Sequence, residues 1–387
     1  MIDDTLSISK CGTASILRNA VINSFIETQR LTLSQDKSVA LHIGKKSKCK
    51  QPCPVLKVHR NNMKDASSMK YLGDIISVQG TYKENIENRR NKGWGKIAEI
   101  AGILSEMPSQ HKIEVGLKLR ESKLCNGILF STEAWSSIAD MDMDRLEQVD
   151  TGLLKQLVDG HSKCSKVFYY LEFGVINLRH IIMSRRLMFH HHILTREDNE
   201  TIKKVYGKQK ESHIKGDWFR MLISDFEFIE EEINEDFIIS IPKEDYRKFI
   251  NNKIKAGVFK YYMQLKEKSK KKLNNLTYED LTIQPYLTKD YFSLEEKKLL
   301  FSLRSRCYDA RLNFRKLNKR NLICRLGCPA EESQIHIFQS CKPIFEKLGL
   351  KEVPSINHIY GTPVEQKNAI KIFIKIDQIK KELIQNL

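Results

Sequence analysis

No stretch of this sequence approaches the roughly 20 uninterrupted apolar residues that a membrane-crossing helix needs, so no membrane partner is expected. The first thirty residues also lack a basic segment followed by an apolar block, which excludes a recognisable secretion leader. There is no internal repeat, and no low-complexity tract beyond "KEKSKKKLNN" at residues 266–275, so solenoids and repeat arrays are excluded. Nine cysteines are present at irregular spacing. Without a leader they point to reduced thiols, and to metal rather than disulfide wherever several work together. The expected compartment is nucleus or cytoplasm.

What is present is length and positive charge. A chain of 387 residues, 41% hydrophobic and 29% charged, can bury a substantial core and is expected to divide into two or three domains. The formal net charge is +17 and it is unevenly placed. Residues 251–320 hold 18 Lys/Arg against 7 Asp/Glu, a net of +11, whereas "MLISDFEFIEEEINEDFIISIPKEDY" at 221–246 holds nine acids against one lysine. Tyr261, Tyr262, Tyr286, Tyr291, Phe292 and Phe314 are interleaved with the basic residues, as in a surface that tracks phosphates and stacks bases. Lys270, Lys271, Lys272, Arg304, Arg306 and Arg315 are the candidate nucleic-acid contacts; the alternative is a solvated helical face.

Apolar periodicity predicts an α+β protein that is mostly α. Ile2, Leu6 and Ile8 keep a period of two, and then Ile16, Leu17, Ala20, Val21, Ser24 and Phe25 fall on one helical face. "LTLSQDKSVALHIG" reads as two short strands around a polar turn, and "MKYLGDIISVQG" as a strand pair closed by Gly80. Helices are predicted over 85–105, 112–131, 143–159 and 175–194, punctuated by Pro108, Gly160 and Gly174. Residues 195–245 read as a polar, partly flexible connector, and a second helical stretch runs from about Asp245 to Leu317. The expected division is 1–82, a small β-containing unit; 83–200, helical; 201–320, connector and basic helical domain; 321–345, a cysteine module; and 346–387, a terminal helix.

The cysteine module is "CRLGCPAEESQIHIFQSC", which spaces Cys324, Cys328, His336 and Cys341 as C-x3-C-x7-H-x4-C. Three thiolates and an imidazole make a normal tetrahedral zinc set, and the Gly327-Cys328-Pro329 turn lets the first two sulfurs converge. The alternative is a group of unrelated buried cysteines. Other clusters are weaker. Cys49 and Cys53, with His42 and His59, read better as loop residues. His190, His191 and His192 on one helix splay over different faces, cannot share an ion and read as neutral surface or interface residues. Arg185 and Arg186 contact phosphate or cap a helical face. Trp94, Trp135 and Trp218 are expected as core anchors.

Asp3 and Asp4 stand side by side near the start. Two-metal polymerases need converging carboxylates where a primer hydroxyl attacks the α-phosphate, yet an isolated Asp-Asp pair carries no signal. Its sequel does: "MIDDTLSIS", a helix, "LTLSQDKS" and "KYLGDIIS" resemble, in order and spacing, the palm of reverse transcriptases of non-LTR retrotransposons. "IENRRNKGWGKI", "GLKLRESKLCNGILFSTEAW", "LEQVDTGLLKQL", "YYLEFGVINLRHIIMSRRL", "GDW" and the cysteine module resemble the thumb and carboxy-terminal region of the same elements.

The resemblance implies RNA-directed DNA synthesis on RNA and DNA, with magnesium at Asp3 and Asp4 and Lys37 as proton donor to pyrophosphate. Tyr71, Leu72 and Gly73 would form a primer-grip hairpin, and the cysteine module would hold structural zinc. Met1 stands where the family has an aromatic residue. The family's fingers, first catalytic strand and third metal-binding aspartate all lie upstream of it. The sequence is therefore expected to be the carboxy-terminal part of such an enzyme, binding nucleic acid without polymerising by itself. The alternatives are a domesticated, non-enzymatic RNA- or DNA-binding protein and an inert product. Glu365-x-Lys367 imitates part of an endonuclease motif, but no Pro-Asp precedes it, and "VEQKNAIKIFIKIDQIKKEL" reads as an amphipathic helix.

Overall fold

The computed structural model describes residues 12–29, 38–41, 43, 55–58, 61–71, 73–212, 214–268, 275–314, 321–350 and 352–386. These are mostly helical, with small two-stranded sheets, and none of their helices is long and apolar enough to cross a membrane. Contacts cluster into two units: Met1–Lys92 with Ile138–Leu146, and Gly93–Ser137 with Glu147–Leu387.

In the first unit, helix α1 (Gly12–Thr28) is followed by strands β1 (Val39–Ala40), β2 (Lys57–Val58), β3 (Asn61–Asn62), β4 (Lys64–Asp65), β5 (Ser68–Tyr71) and β6 (Asp74–Ser77). β1 pairs in parallel with β4, β2 antiparallel with β3, and β5 antiparallel with β6. Asn19 and Asn23 of α1 donate to the carbonyl of Lys57 at 2.7 and 2.9 Å, which fixes the helix to β2. The periodic face of α1 behaves unexpectedly. Ile16, Leu17, Val21 and Phe25 are each at least half exposed, while the neighbouring Ile26 is buried. Periodicity marks an apolar face; it does not supply the element that covers it.

The β5–β6 hairpin turns through Gly73, whose φ of +91° favours glycine. Its register pairs Tyr71 with Asp74. Helix α2 (Lys83–Ser105) anchors the hairpin: Asn85 donates to Asp74 at 2.9 Å, Arg89 is ion-paired with the same carboxylate, and Arg89 donates to Asn85 at 3.1 Å.

The second unit begins within α2. Helix α3 (Lys112–Leu119) widens into a π turn at Arg120–Cys125 and ends in the short α4 (Asn126–Ile128), where sequence periodicity predicts one continuous helix. The widened turn carries Arg120, which donates to Asp150 at 2.6 and 2.8 Å and to the Ile176 carbonyl at 2.7 Å. Asp150 lies on α5 (Asp140–Val158), and both charges are buried.

Helix α6 (Lys166–Phe173) is almost wholly buried and ends at Gly174 in the left-handed region. A Cβ at Gly174 would come within 2.3 Å of backbone at Thr282 and Ile283, so only glycine fits. Helix α7 (Leu178–Leu194) begins at a cap from the Asn177 side chain, three residues later than the periodicity suggests.

The stretch expected as a connector is instead built into the fold as α8 (Thr201–Glu211), α9 (Trp218–Phe228) and α10 (Glu235–Ser240), the last two capped by Asp217 and Asn234. Most of its acids lie on the outer faces of these helices and in the turns between them, whereas Asp225 of α9 is buried. The long α11 (Lys243–Lys268) buries Tyr246, Ile250, Ile254, Val258 and Tyr262 at four-residue spacing. Its cations meet those acids: Lys260 pairs with Glu230 at 2.5 Å, and Lys253 is ion-paired with Glu231. The acidic and basic segments, separate in the sequence, partly neutralise each other in the fold.

Helices α12 (Pro285–Thr288) and α13 (Leu294–Arg304) follow; a capping box between Ser293 and Glu296 starts α13. Then come α14 (Gln334–Gln339), α15 (Lys342–Leu348) and α16 (Pro363–Gln385). α16 is amphipathic, as expected, with Ala369, Ile370, Phe373 and Ile376 buried. Glu365 closes the capping box of Thr362, and Lys367 pairs with Glu296 at 2.7 Å.

In this unit Glu172 of α6 accepts from Tyr278 at 2.6 Å, from Tyr286 at 2.5 Å and from Nε and Nη2 of Arg304 at 2.9–3.3 Å. Arg304 also donates to the Ile359 carbonyl at 2.9 Å. Removing one partner of a buried charged pair strands the other, at about 3–5 kcal/mol. Arg304→Met is therefore expected to lower stability by that amount in urea unfolding. Arg304→Met combined with Glu172→Gln should recover part of the loss; a single-variant loss under about 1 kcal/mol contradicts the assignment.

Candidate metal centre

Residues 321–332 form a tight hairpin-like loop. Ile323 bridges Glu331, the Cys324 amide donates to Ala330 O at 2.9 Å, and the chain turns through Gly327 at φ +85°. The loop is clamped by Glu332, buried, which receives Arg325 side-chain and backbone donors at 2.5–3.0 Å and the Arg311 amide at 3.3 Å. The neighbouring arginine holds the Glu332 carboxyl below its ordinary range, against the opposing effect of burial. This loop presents Cys324 and Cys328. Ser333 caps α14, which presents His336, and Cys341 is the residue that caps α15.

The four donor atoms lie within 4.8 Å of one another, and all four residues are buried. Sγ of Cys341 is 3.8 Å from Sγ of both Cys324 and Cys328. His336 Nε2 is buried and has no hydrogen-bond partner, whereas Nδ1 lies 3.2 Å from Ser340 Oγ. Such an orphaned buried nitrogen costs free energy unless something coordinates it. The hydroxyl on Nδ1 fixes the ring as a second-layer partner would. Burial lowers the His336 pKa, so the imidazole stays neutral and its lone pair is free to ligate. Burial, then the crowding of Cys324 and Cys328, pushes the Cys341 thiol far up; a cation at the centre reverses that preference. The Leu326 amide approaches Cys324 Sγ at 3.4 Å, ready to stabilise a thiolate. The cluster can hold a metal ion. Ser340 and Glu332 escaped the sequence reading, and adjacency to a ligand was the signal for Ser340.

The other predicted site residues fare differently. Tyr71 and Gly73 occupy the end and turn of the β5–β6 hairpin. Asp3, Asp4, Lys37, Leu72, Lys270, Lys271, Lys272 and Arg315 lie outside the described residues, as do Cys49, Cys53, His42 and His59. Arg304 corrects the expectation of a phosphate contact: it is buried and its guanidinium is committed to Glu172 and Ile359. Arg306 remains partly exposed just beyond α13, at φ +52°. Tyr262, Tyr286 and Phe292, expected on a base-stacking surface, are core residues, while Tyr291 is exposed.

The three histidines do splay, yet His190 and His191 are interior rather than surface groups. His190 Nε2 meets Tyr206 OH at 3.0 Å and His191 Nε2 meets Ile241 O at 3.1 Å. Burial depresses the His190 pKa to about 4. Arg186 sits buried 3.3 Å from Asp225, and Arg185 donates to Asn126 at 2.8 Å. Trp135 and Trp218 are core residues, but Trp94 is 40% exposed.

No family model matches this chain, and no curated protein or solved structure matches it.

Protein purified without chelator is expected to contain about one metal ion per chain by elemental analysis. Cys328→Ser should lose it and Cys53→Ser should keep it. Equal metal content in the two variants refutes the four-residue site.

Proposed function

We propose that this chain is the carboxy-terminal part of a non-LTR retrotransposon reverse transcriptase, and that it binds RNA and DNA through cationic side chains around a zinc-stabilised module. One observation carries the reading. The four residues that the resemblance marks as a metal module lie with their donors within 4.8 Å, despite a span of 18 residues and three separate local elements. Zinc is favoured over other ions by the donor set of three sulfurs and one nitrogen. A tetrahedron with metal–sulfur distances of about 2.3 Å has edges of about 3.8 Å, the spacing that Cys341 keeps to Cys324 and Cys328. Zinc bound there would have a closed coordination sphere, and so a structural role rather than a hydrolytic one.

The net charge of +17 supports a polyanionic partner. Lys253 and Lys260 of α11 pair with Glu231 and Glu230 in the turn between α9 and α10, so the cations proposed to meet phosphate are others, including Arg306 and the triple lysine at 270–272. Fluorescence anisotropy with labelled single-stranded RNA and DNA is expected to show affinity falling steeply as salt rises, with a log–log slope of about −0.7 per phosphate neutralised. Changing Lys270, Lys271 and Lys272 together to Glu should weaken binding to all sequences alike. Affinity that stays flat between low and moderate salt removes the nucleic-acid reading.

The polymerase assignment has its own test. In a protein that joins this sequence to a fingers-and-palm segment, Asp3→Asn and Asp4→Asn should each abolish primer extension while leaving salt-dependent binding nearly intact, because each removes a metal ligand and not a phosphate contact. Near-normal synthesis in both variants would make these ordinary turn carboxylates. Asp74, already engaged by Asn85 and Arg89, is held as part of the hairpin anchor.

A further inference from the structure

The cysteine module does not stand apart from the helices around it. α14 has six residues and α15 seven, both too short to persist without outside support. His336 lies inside the first and Cys341 caps the second, so the metal donors define where both helices sit. The module also buries apolar side chains against its neighbours. The Phe338 ring meets Tyr308 beyond α13 and Phe373 of α16, each with centroids 5.0 Å apart. Gln334 donates to the Leu303 carbonyl of α13 at 3.1 Å, the Leu312 amide donates to Glu332 O at 3.0 Å, and Lys347 of α15 pairs with Glu382 of α16 at 2.8 Å. α16 thus packs on α14 and α15 as well as on α13 and residues 356–360.

We propose that the metal held by Cys324, Cys328, His336 and Cys341 is a lock for the whole carboxy-terminal layer, which docks firmly on α13 only when the site is loaded. The inference rests on the metal reading above and extends it from a local knuckle to a conformational control. Without the ion, the three thiols are joined only by weak sulfur contacts at 3.8 Å and His336 Nε2 is left buried with no partner, so the loaded arrangement of α14 and α15 is disfavoured. Phe338 then loses its fixed position between Tyr308 and Phe373, and α16 loses the supports that α14 and α15 provide. What stays is the core of α6, α7 and α11, which is joined by side chains remote from the metal, such as Tyr170 stacked on Tyr262.

Hydrogen exchange read by mass spectrometry tests this on the full chain, zinc-loaded and after chelation, with metal content measured on the same samples. Exchange in α16 should quicken by about tenfold or more on chelation, while α6 and α7 stay unchanged. Phe338→Ala keeps all four donors, so it should retain zinc and still quicken exchange in α16. A quickening confined to residues 322–341 overturns the lock, as does uniform loss of protection through α6 and α7. Phe338→Ala with both zinc and α16 protection intact also overturns it. A chain that binds no zinc from the outset overturns the metal reading itself, and the lock with it.

Discussion

The second unit is organised around one buried carboxylate. Glu172 has no exposure to water, yet four donors from two tyrosines and an arginine converge on it. An unpaired carboxylate in that position would be prohibitive, so every element that supplies a donor is held to a narrow set of positions. Tyr278 precedes α12, Tyr286 lies within it, and Arg304 ends α13 while reaching on to Ile359. A single charge therefore ties α6 to segments more than a hundred residues away, and through Arg304 to the layer that carries α16. The pKa values of both tyrosines are driven up by burial first and by the carboxylate second, which keeps them protonated as donors.

A second buried pair, Arg120 with Asp150, does the same for the helices before α6, and its arginine reaches the Ile176 carbonyl just ahead of α7. Buried ion pairs are expensive to desolvate and gain little over apolar replacements. Their consequence here is positional: a charge that must find its partner discriminates among packings that apolar side chains would tolerate. The π turn at Arg120–Cys125 carries the arginine that reaches Asp150 on α5.

The cysteine–histidine cluster follows this frame in the chain and shares helix α13 with it. α13 presents Leu303 and Arg304 to the module and to residues 356–360, so the same helix serves the carboxylate core on one side and the cysteine layer on the other. Two cations of α11, Lys253 and Lys260, are spent on Glu231 and Glu230, and a polyanion would meet the cations outside such pairs.

Sequence by itself determined the elements whose signal is local. The cluster of Cys324, Cys328, His336 and Cys341 was legible because its spacing is short and its residue types are rare, and α16 because its apolar period is regular across 23 residues. The helices α2, α5 and α7 followed from the same periodicity, with ends displaced by a few residues where Asn177 caps later than expected. Tertiary structure alone decided which charges are inside. Arg304 and Arg186 look like surface cations in a basic chain, and only partners far along the sequence, Glu172 and Asp225, make their burial possible. The polar stretch 195–245 looked like a connector because the partners of several of its acids lie elsewhere in the chain: Asp225 meets Arg186, and Glu230 and Glu231 meet lysines on the later α11. Tyr262 and Tyr286 looked like stacking platforms for the same reason: an aromatic ring among lysines reads identically whether the helix turns it toward water or toward Glu172 and Tyr170. Periodicity records that a face is apolar, whereas the choice of what covers it is made by contacts between residues that the sequence keeps far apart.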